Sequence, residues 1–368
     1  MQNIRKFFIY ISMCCLCFGW NSCANDDDDM VGDGCPTPTT VYESGVFVVN
    51  EGAFGNGTGT LSFFNSANGE VSNRIYQKAN CEEVIGSVLQ SVTEEDDRFY
   101  LVVNDAQKVI VADAKNMEKL GQIEGLQQPR YFLKIDETTA YVTQWVGTQQ
   151  GNIAVVNLPD LSIRATIPAG GGPEAIIKYQ DKIYVANEGG QNFTVGDSTV
   201  LVINPLTHEV EKTLIVGRSP NAFQIDKNGD LWVSCRGYSP NFIDNDPANI
   251  NGSLVRINNE TVQETIDLGT LGAQKMQINP SRDRLYFLQN GIAYYPVYAF
   301  DIDTKTVTSS PFIDQEAYGL GVNPLNGHIF VADAKSFAAT GEVSEYDANG
   351  QFLQSFPTSI GPNSFLFK

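Results

Sequence analysis

The sequence predicts an all-β fold: a seven-bladed β-propeller of four-stranded antiparallel blades, with the first blade closed by the C-terminal strand. Three observations carry that reading. Short apolar runs recur in groups of four, with successive groups starting 44 to 53 residues apart over most of the chain. Glycine and aromatic residues are plentiful (33 Gly, 21 Phe, 15 Tyr) while charged residues make up only 18%, which suits strands and turns better than helices. Finally, the first group lacks one run and the chain ends on that same run without followers.

The first run of each group is PRYFLKID (from Pro129), PEAIIKYQD (Pro173), PNAFQIDKNG (Pro220), AQKMQINP (Ala273), AYGLGVNP (Ala317) and PNSFLFK (Pro362). A weaker member, SVLQSVTEED, begins at Ser87. Second runs follow, such as FYLVVN (Phe99), AYVTQW (Ala140), IYVANE (Ile183) and LWVSCR (Leu231), then third runs such as IAVVNL and VLVINP. Fourth runs are more polar, for example LSIRATIPAG and EVEKTLIVG. Asn-Gly and Asp-rich segments between the runs are hairpin turn signals. A single such blade cannot cover its own faces, so blades must stack around an axis. At the N-terminus GVFVVNEG, LSFFN and VSNRIY match second, third and fourth strands, and PNSFLFK at the C-terminus supplies the missing first. This closes a ring of seven and removes its open edges.

The charge balance excludes whole classes of partner. With 24 basic against 43 acidic side chains, the formal net charge is −19. Phosphate backbones and anionic lipid surfaces both require clustered Lys and Arg, so nucleic-acid binding is excluded.

Residues 1–22 form a signal peptide. Arg5 and Lys6 make a basic start, and Phe7 to Trp20 an apolar stretch too short to span a bilayer. Ser22 then precedes Cys23, after which the chain turns abruptly polar. This resembles a bacterial lipoprotein signal, which implies cleavage before Cys23 and lipidation of its thiol; ordinary secretory cleavage nearby is the alternative. Residues 23–42 are read as a lipidated acidic stalk and residues 43–368 as the propeller. The run Asp26 to Asp29 is either a solvated, self-repelling linker or, by resemblance, the surface-export signal of Bacteroidetes lipoproteins. Three cysteines lie beyond the lipidation site. A Cys35–Cys81 bridge would staple the stalk to the fold in an oxidising compartment, and Cys235 reads as a buried thiol.

Strand order places the candidate site. First-to-second and third-to-fourth turns share one end of the ring and are short. Second-to-third loops lie at the other end and are longer, the usual location of binding groups on a rigid scaffold. They carry Phe54, Trp145, Gln149, Phe193, Tyr238, Tyr294, Tyr295 and Phe337. One residue past each first-strand start stand Val88, Arg130, Glu174, Asn221, Gln274, Tyr318 and Asn363, a ring at the mouth of the central channel. Arg218 and Arg236 lie beside it. We take Phe54, Arg130, Trp145, Gln149, Glu174, Phe193, Arg218, Asn221, Arg236, Tyr238, Tyr294, Tyr295, Tyr318 and Phe337 as the candidate ligand-binding set.

The chain has only two histidines, and both fall in short turns at the opposite end: His208 in NPLTHE and His328 in NPLNGH. A Ser/His/Asp or Cys/His catalytic site beside the long loops is therefore not expected, and no His/Cys cluster suggests a metal. Asp244-Asn245-Asp246 lacks the spacing of a calcium loop. No catalytic residue, metal or cofactor is expected, and binding is favoured over catalysis.

The runs AYVTQ and IYVAN resemble the Tyr-Val-Thr-Asn repeat of surface-layer and periplasmic propellers. With its anchoring signal, acidic run and seven repeats, the chain further resembles the Bacteroidetes surface lipoprotein propellers that capture vitamin B12. That resemblance implies an outer-membrane, lipid-anchored, surface-exposed protein. It would bind cobalamin or another corrinoid as transported ligand and pass it to a TonB-dependent transporter. The alternatives are a glycan- or protein-binding surface propeller and a propeller lyase or lactonase.

Overall fold

In the computed structural model the described residues are 40–368, except 54, 56, 58, 148–149, 192–195, 241–246, 270–271 and 290–294. The residues read from sequence as a signal peptide, Cys23, Cys35 and most of the segment read as a stalk thus lie outside the described residues. Seven four-stranded antiparallel sheets follow one another along the chain. Blade 2 is Leu89–Glu95, Arg98–Val103, Lys108–Asp113 and Lys119–Ile123, ordered outward from the axis, and blades 3 to 7 repeat that order. Blade 1 is composite. Its inner strand is Pro362–Phe367, followed by Gly45–Asn50, Thr60–Asn65 and Val71–Ser72. The ring of seven predicted from the repeats, with C-terminal closure, is the observed architecture.

Burial explains why the runs read as they do. Second strands such as Gly45–Asn50 and Leu231–Cys235 are buried along their whole length. Blades cover both of their faces, so polar alternation disappears and continuous apolar runs remain. Fourth strands at the rim, such as Ser162–Ala169, are mostly exposed and accordingly polar. The core is a set of inter-blade layers rather than one centre. Tyr100 and Val102 of blade 2 pack with Phe132, Ala140 and Val142 of blade 3, and Tyr100 stacks on Phe132 with ring centroids 3.9 Å apart.

Closure is made by backbone and by side chains. Val46 to Val49 pair with Phe367 to Ser364. Gly45 and Lys368 exchange both backbone hydrogen bonds, at 3.2 and 3.0 Å. Behind this seam the Thr358 hydroxyl donates to Asn50 Oδ1 at 2.8 Å, and Asn50 Nδ2 donates to Ser62 Oγ at 2.9 Å. Phe64 of blade 1 stacks on Phe356 of blade 7 at 4.3 Å.

Cys235 is fully buried and free, its thiol pushed up to about 12 by burial. Cys81 is disulfide-bonded. The expected staple uses this residue, but its other half, Cys35, is outside the described residues. Both histidines sit at the short-turn end. His208 Nδ1 lies 2.6 Å from the Tyr141 hydroxyl, and His328 Nδ1 pairs with Glu345 at 2.7 Å.

If the seam closes the ring, a chain truncated after Gly361 exposes an unpaired, wholly buried second strand. It should lose the single cooperative thermal transition and elute as aggregate in size-exclusion chromatography. A truncated chain that melts like the full one would show that the ring closes by other contacts.

Candidate functional site

A cavity of about 650 Å³ opens along the axis at the long-loop end. Its wall is built by a repeated backbone irregularity. In six of the seven blades the pairing with the inner strand shifts register at that strand's start, for example between Pro129 and Phe132, Pro173 and Ile176, and Gln274 and Gln277. A bulge interrupts the strict alternation of side chains and re-aims them. Two successive residues per blade therefore reach the cavity: Arg130 with Tyr131, Glu174 with Ala175, Asn221 with Ala222, and Gln274 with Lys275.

Pairing fixes which residues are equivalent. In blade 2, Leu89 lies opposite Val103 as Pro173 lies opposite Asn187. The ring residue of blade 2 is therefore Gln90, not Val88 as the repeats suggest, although Val88 also touches the cavity. The blade 2 repeat is the weakest of the seven and lacks the proline that marks the strand start in blades 1, 3, 4 and 5, so its frame is the least defined. Following the Gln90 position round gives Arg130, Glu174, Asn221, Gln274, Tyr318 and Asn363, as expected from sequence.

The mouth is held by buried charge pairs. Arg130 donates from Nε and Nη2 to both Glu174 oxygens, at 2.7 and 2.8 Å, and from Nη1 to Gln90 Oε1 at 2.6 Å. The same guanidinium lies 4.0 Å from the centroid of Trp145, a cation–π contact. Burial alone would lower the Arg130 pKa, but the Glu174 carboxylate outweighs it and leaves the group firmly charged. Arg236 pairs with Glu188 at 3.1 Å. The Tyr318 hydroxyl donates to Glu51 Oε2 at 2.8 Å, and its ring meets Phe337 edge-on at 4.8 Å. Lys275 reaches from blade 6 past the Tyr318 ring of blade 7 to donate to Asn363 Oδ1 of blade 1. Burial raises the carboxyl pKa of Glu51 and of Glu188 and lowers that of the Lys275 ammonium.

Of the candidate set, Arg130, Trp145, Glu174, Asn221, Arg236 and Tyr318 line the cavity. Phe337 joins through Tyr318. Three candidates are placed elsewhere. The Arg218 guanidinium is directed to the Gly196 carbonyl at 3.5 Å. Tyr238 forms a bridge with Ile250 inside its own loop, and Tyr295 packs against the apolar layer of blades 6 and 7. Phe54, Gln149, Phe193, Tyr294 and the Asp244 to Asp246 stretch lie outside the described residues. Sequence reasoning missed Glu51, Gln90, Asn104, Tyr131, Glu188 and Lys275. Three of these, Glu51, Asn104 and Glu188, had a readable signal. Glu51, Asn104, Trp145, Glu188 and Arg236 all end the second run of their repeat and form a second ring just above the first. Among the described residues, no group of three or more His, Cys, Asp or Glu could hold a metal ion.

Residues 44–361 match the family model described as a domain of unknown function, DUF5074. The chain belongs to the DUF5074 family. Among curated proteins no sequence match is found. Solved structures resemble this DUF5074 protein in fold. One is a quinonprotein alcohol dehydrogenase-like protein from Bacteroides thetaiotaomicron, with TM-score 0.66 and 16% identity, covering 89% of this chain and 79% of that one. A Bacteroides fragilis protein provisionally described as a 6-phosphogluconolactonase gives TM-score 0.62 and 13% identity, over 88% and 98% of the two chains. A Lactobacillus plantarum protein gives TM-score 0.62 and 10% identity, over 89% and 100%. At such identities the likeness extends to the propeller fold and no further.

Two predictions follow from the buried charges of this DUF5074 propeller. Arg130→Met leaves Glu174 (6% side-chain exposure) buried and unpaired, and should cost about 3–5 kcal/mol in urea unfolding. The double variant Arg130→Met/Glu174→Leu should recover most of that loss. If the single and double variants are equally unstable, packing and not charge holds this wall. The second concerns pH. The folded-state pKa of Glu51 is raised, so its contribution to stability is full below the ordinary value of 4.5 and is lost as pH rises through the folded value. Glu51→Gln should therefore gain stability over wild type as pH climbs from 4.5 towards neutrality. A difference flat with pH would contradict the raised carboxyl.

Proposed function

We propose that this DUF5074 protein is a lipid-anchored, surface-exposed capture protein of the outer membrane. On this reading it binds a corrinoid such as cobalamin at the channel mouth and passes it to a TonB-dependent transporter. The observation that carries the reading is the composition of the mouth: aromatic faces from Trp145 and Tyr318 set among fixed donors and acceptors, at the end that bears the long loops. A corrinoid has flat apolar faces and a rim of amides. Aromatic walls suit the faces, and the Asn, Gln, Arg and Glu groups suit the rim. The ligand is rigid and the ion pairs already hold the wall in place, so little ordering entropy opposes binding. Both histidines sit at the far end, so imidazole coordination of cobalt is not part of the reading, and binding should tolerate different upper ligands on the metal. The lipid anchor and transporter rest on the Cys23 signal and the acidic run after it.

A second reading has one observation of its own. The Glu51–Tyr318 pair, with the Glu51 carboxyl raised by burial, has the make-up of an acid–base pair in a lyase or lactonase. Turnover of uronate or lactone substrates abolished by Glu51→Gln would favour it.

The primary test is retention of colour. Micromolar protein mixed with cyanocobalamin and desalted should keep the visible absorbance of the corrinoid. Trp145→Ala should weaken binding about tenfold or more while melting near wild type. Loss of all colour from the wild-type fraction would overturn corrinoid capture.

A further inference from the structure

The cations of the mouth are not equivalent. Arg130 and Arg236 each have a carboxylate within hydrogen-bonding or ion-pair distance. Lys275 does not. Among the described residues its ammonium donates only to the neutral amide oxygen of Asn363, and no carboxylate oxygen lies within 4.0 Å of it. Glu51, Glu174 and Glu188 act on it only at longer range. An ammonium carries three donors, so two remain unspent.

The surroundings of Lys275 are equally unspent. The inner strand of blade 6, Gln274–Ile278, presents Gln274, Lys275, Met276 and Gln277 to the cavity. Neither glutamine side chain has a hydrogen-bonding partner among the described residues. The other amide side chains that line the cavity are engaged: Gln90 with Arg130, Asn104 with the Pro129 carbonyl, Asn221 with the Ala273 carbonyl, and Gln224 with the Met276 carbonyl. The position equivalent to Lys275 is filled in other blades mostly by small residues, Ser91, Ala175, Ala222 and Ser364. A long cationic side chain here projects into space its counterparts leave empty.

A half-buried cation beside idle amide donors is costly unless something of opposite charge completes it. We propose that Lys275, with Gln274 and Gln277, forms a seat for a single oxyanion, a carboxylate or phosphate group borne by the ligand. The seat goes beyond the corrinoid reading and does not depend on it, since any ligand entering the throat with one anionic group would be oriented by it. Three neighbouring carboxylates favour a singly charged group over a polyanion, because each added charge on the ligand meets the same three acids.

Two titrations test the seat. In calorimetry, inorganic phosphate and acetate are each titrated into wild type, Lys275→Met and Lys275→Arg, with melting curves confirming that all three are folded. Saturable binding of at least one anion to wild type, weakened about tenfold or more in Lys275→Met and largely kept in Lys275→Arg, supports the seat, and the preferred anion identifies its chemistry. Failure of both anions to bind wild type, or equal binding to Lys275→Met, overturns it. The second titration compares cyanocobalamin, which carries one phosphodiester, with dicyanocobinamide, which carries none. Selective loss of cyanocobalamin affinity in Lys275→Met places that phosphate in the seat. Equal loss of both corrinoids overturns the placement but leaves corrinoid capture standing, whereas failure of both to bind wild type overturns capture and leaves the anion result to stand alone.

Discussion

The antiparallel pairing of Pro362–Phe367 with Gly45–Asn50 joins the two ends of the folded chain, and it also completes the wall of the cavity. Asn363 on that closing strand accepts the Lys275 hydrogen bond through Oδ1 and donates through Nδ2 to the Gln90 carbonyl at 3.1 Å. Ser364 and Phe365 line the cavity directly. Blades 1, 2 and 6 therefore meet in one side chain contributed by the last seven residues. The chain closes its ring and builds the mouth by the same contact, so the wall has its final form only once folding is finished. A loss of binding on weakening the seam would be expected even where the other six blades kept their pairing.

Within that frame the mouth is arranged for shape rather than for net charge. Three cations and three carboxylates face a common space, and the Arg130–Glu174 pair is nearly dehydrated. Such pairs add little stability over well-packed apolar groups, because desolvation offsets most of the Coulomb gain. What they provide is fixed geometry. Arg130 donates to Glu174 and Gln90 and lies over the Trp145 ring, so side chains of three blades are held in one orientation before any ligand arrives. The unequal treatment of Lys275 stands out against this background, since it is the cation that the protein's own carboxylates leave without a close counter-charge.

The fold was legible because its signal is repeated. Seven copies of one apolar pattern, and a first strand displaced to the other terminus, leave few arrangements that close. The first ring was legible for the same reason wherever a proline marked the strand start, as at Pro129, Pro173, Pro220 and Pro362. Blades 6 and 7 fall in frame without a proline because their repeats are strong; blade 2 has neither proline nor a strong repeat, and its frame slipped by two residues. The second ring was present in the same alignment. Glu51 and Glu188 both stand in Asn-Glu-Gly, directly after a second run, but the eye stops where the apolar pattern stops. Tyr295 shows a different outcome: an aromatic in a long loop that packs against the apolar layer of blades 6 and 7. Composition alone cannot separate that fate from facing a ligand, because both bury apolar area.

Lys275 was hidden for a more basic reason. A strand read from sequence assigns alternate residues to opposite faces, so a channel-facing Gln274 sends Lys275 into the flank of its blade. The register shift between Gln274 and Gln277 breaks that rule and turns both to the cavity. Lys275 itself has a φ of 54°, a left-handed conformation that costs a non-glycine residue energy. Bulges at this place recur in five other blades, so they belong to the way the inner strands enter the channel and were not added for one residue. Their effect is to double the number of side chains per blade that reach the axis. Most blades use the second position for a small residue and keep the throat open. Blade 3 uses it for Tyr131 and blade 6 for a cation, and the cation is what gives the channel a side.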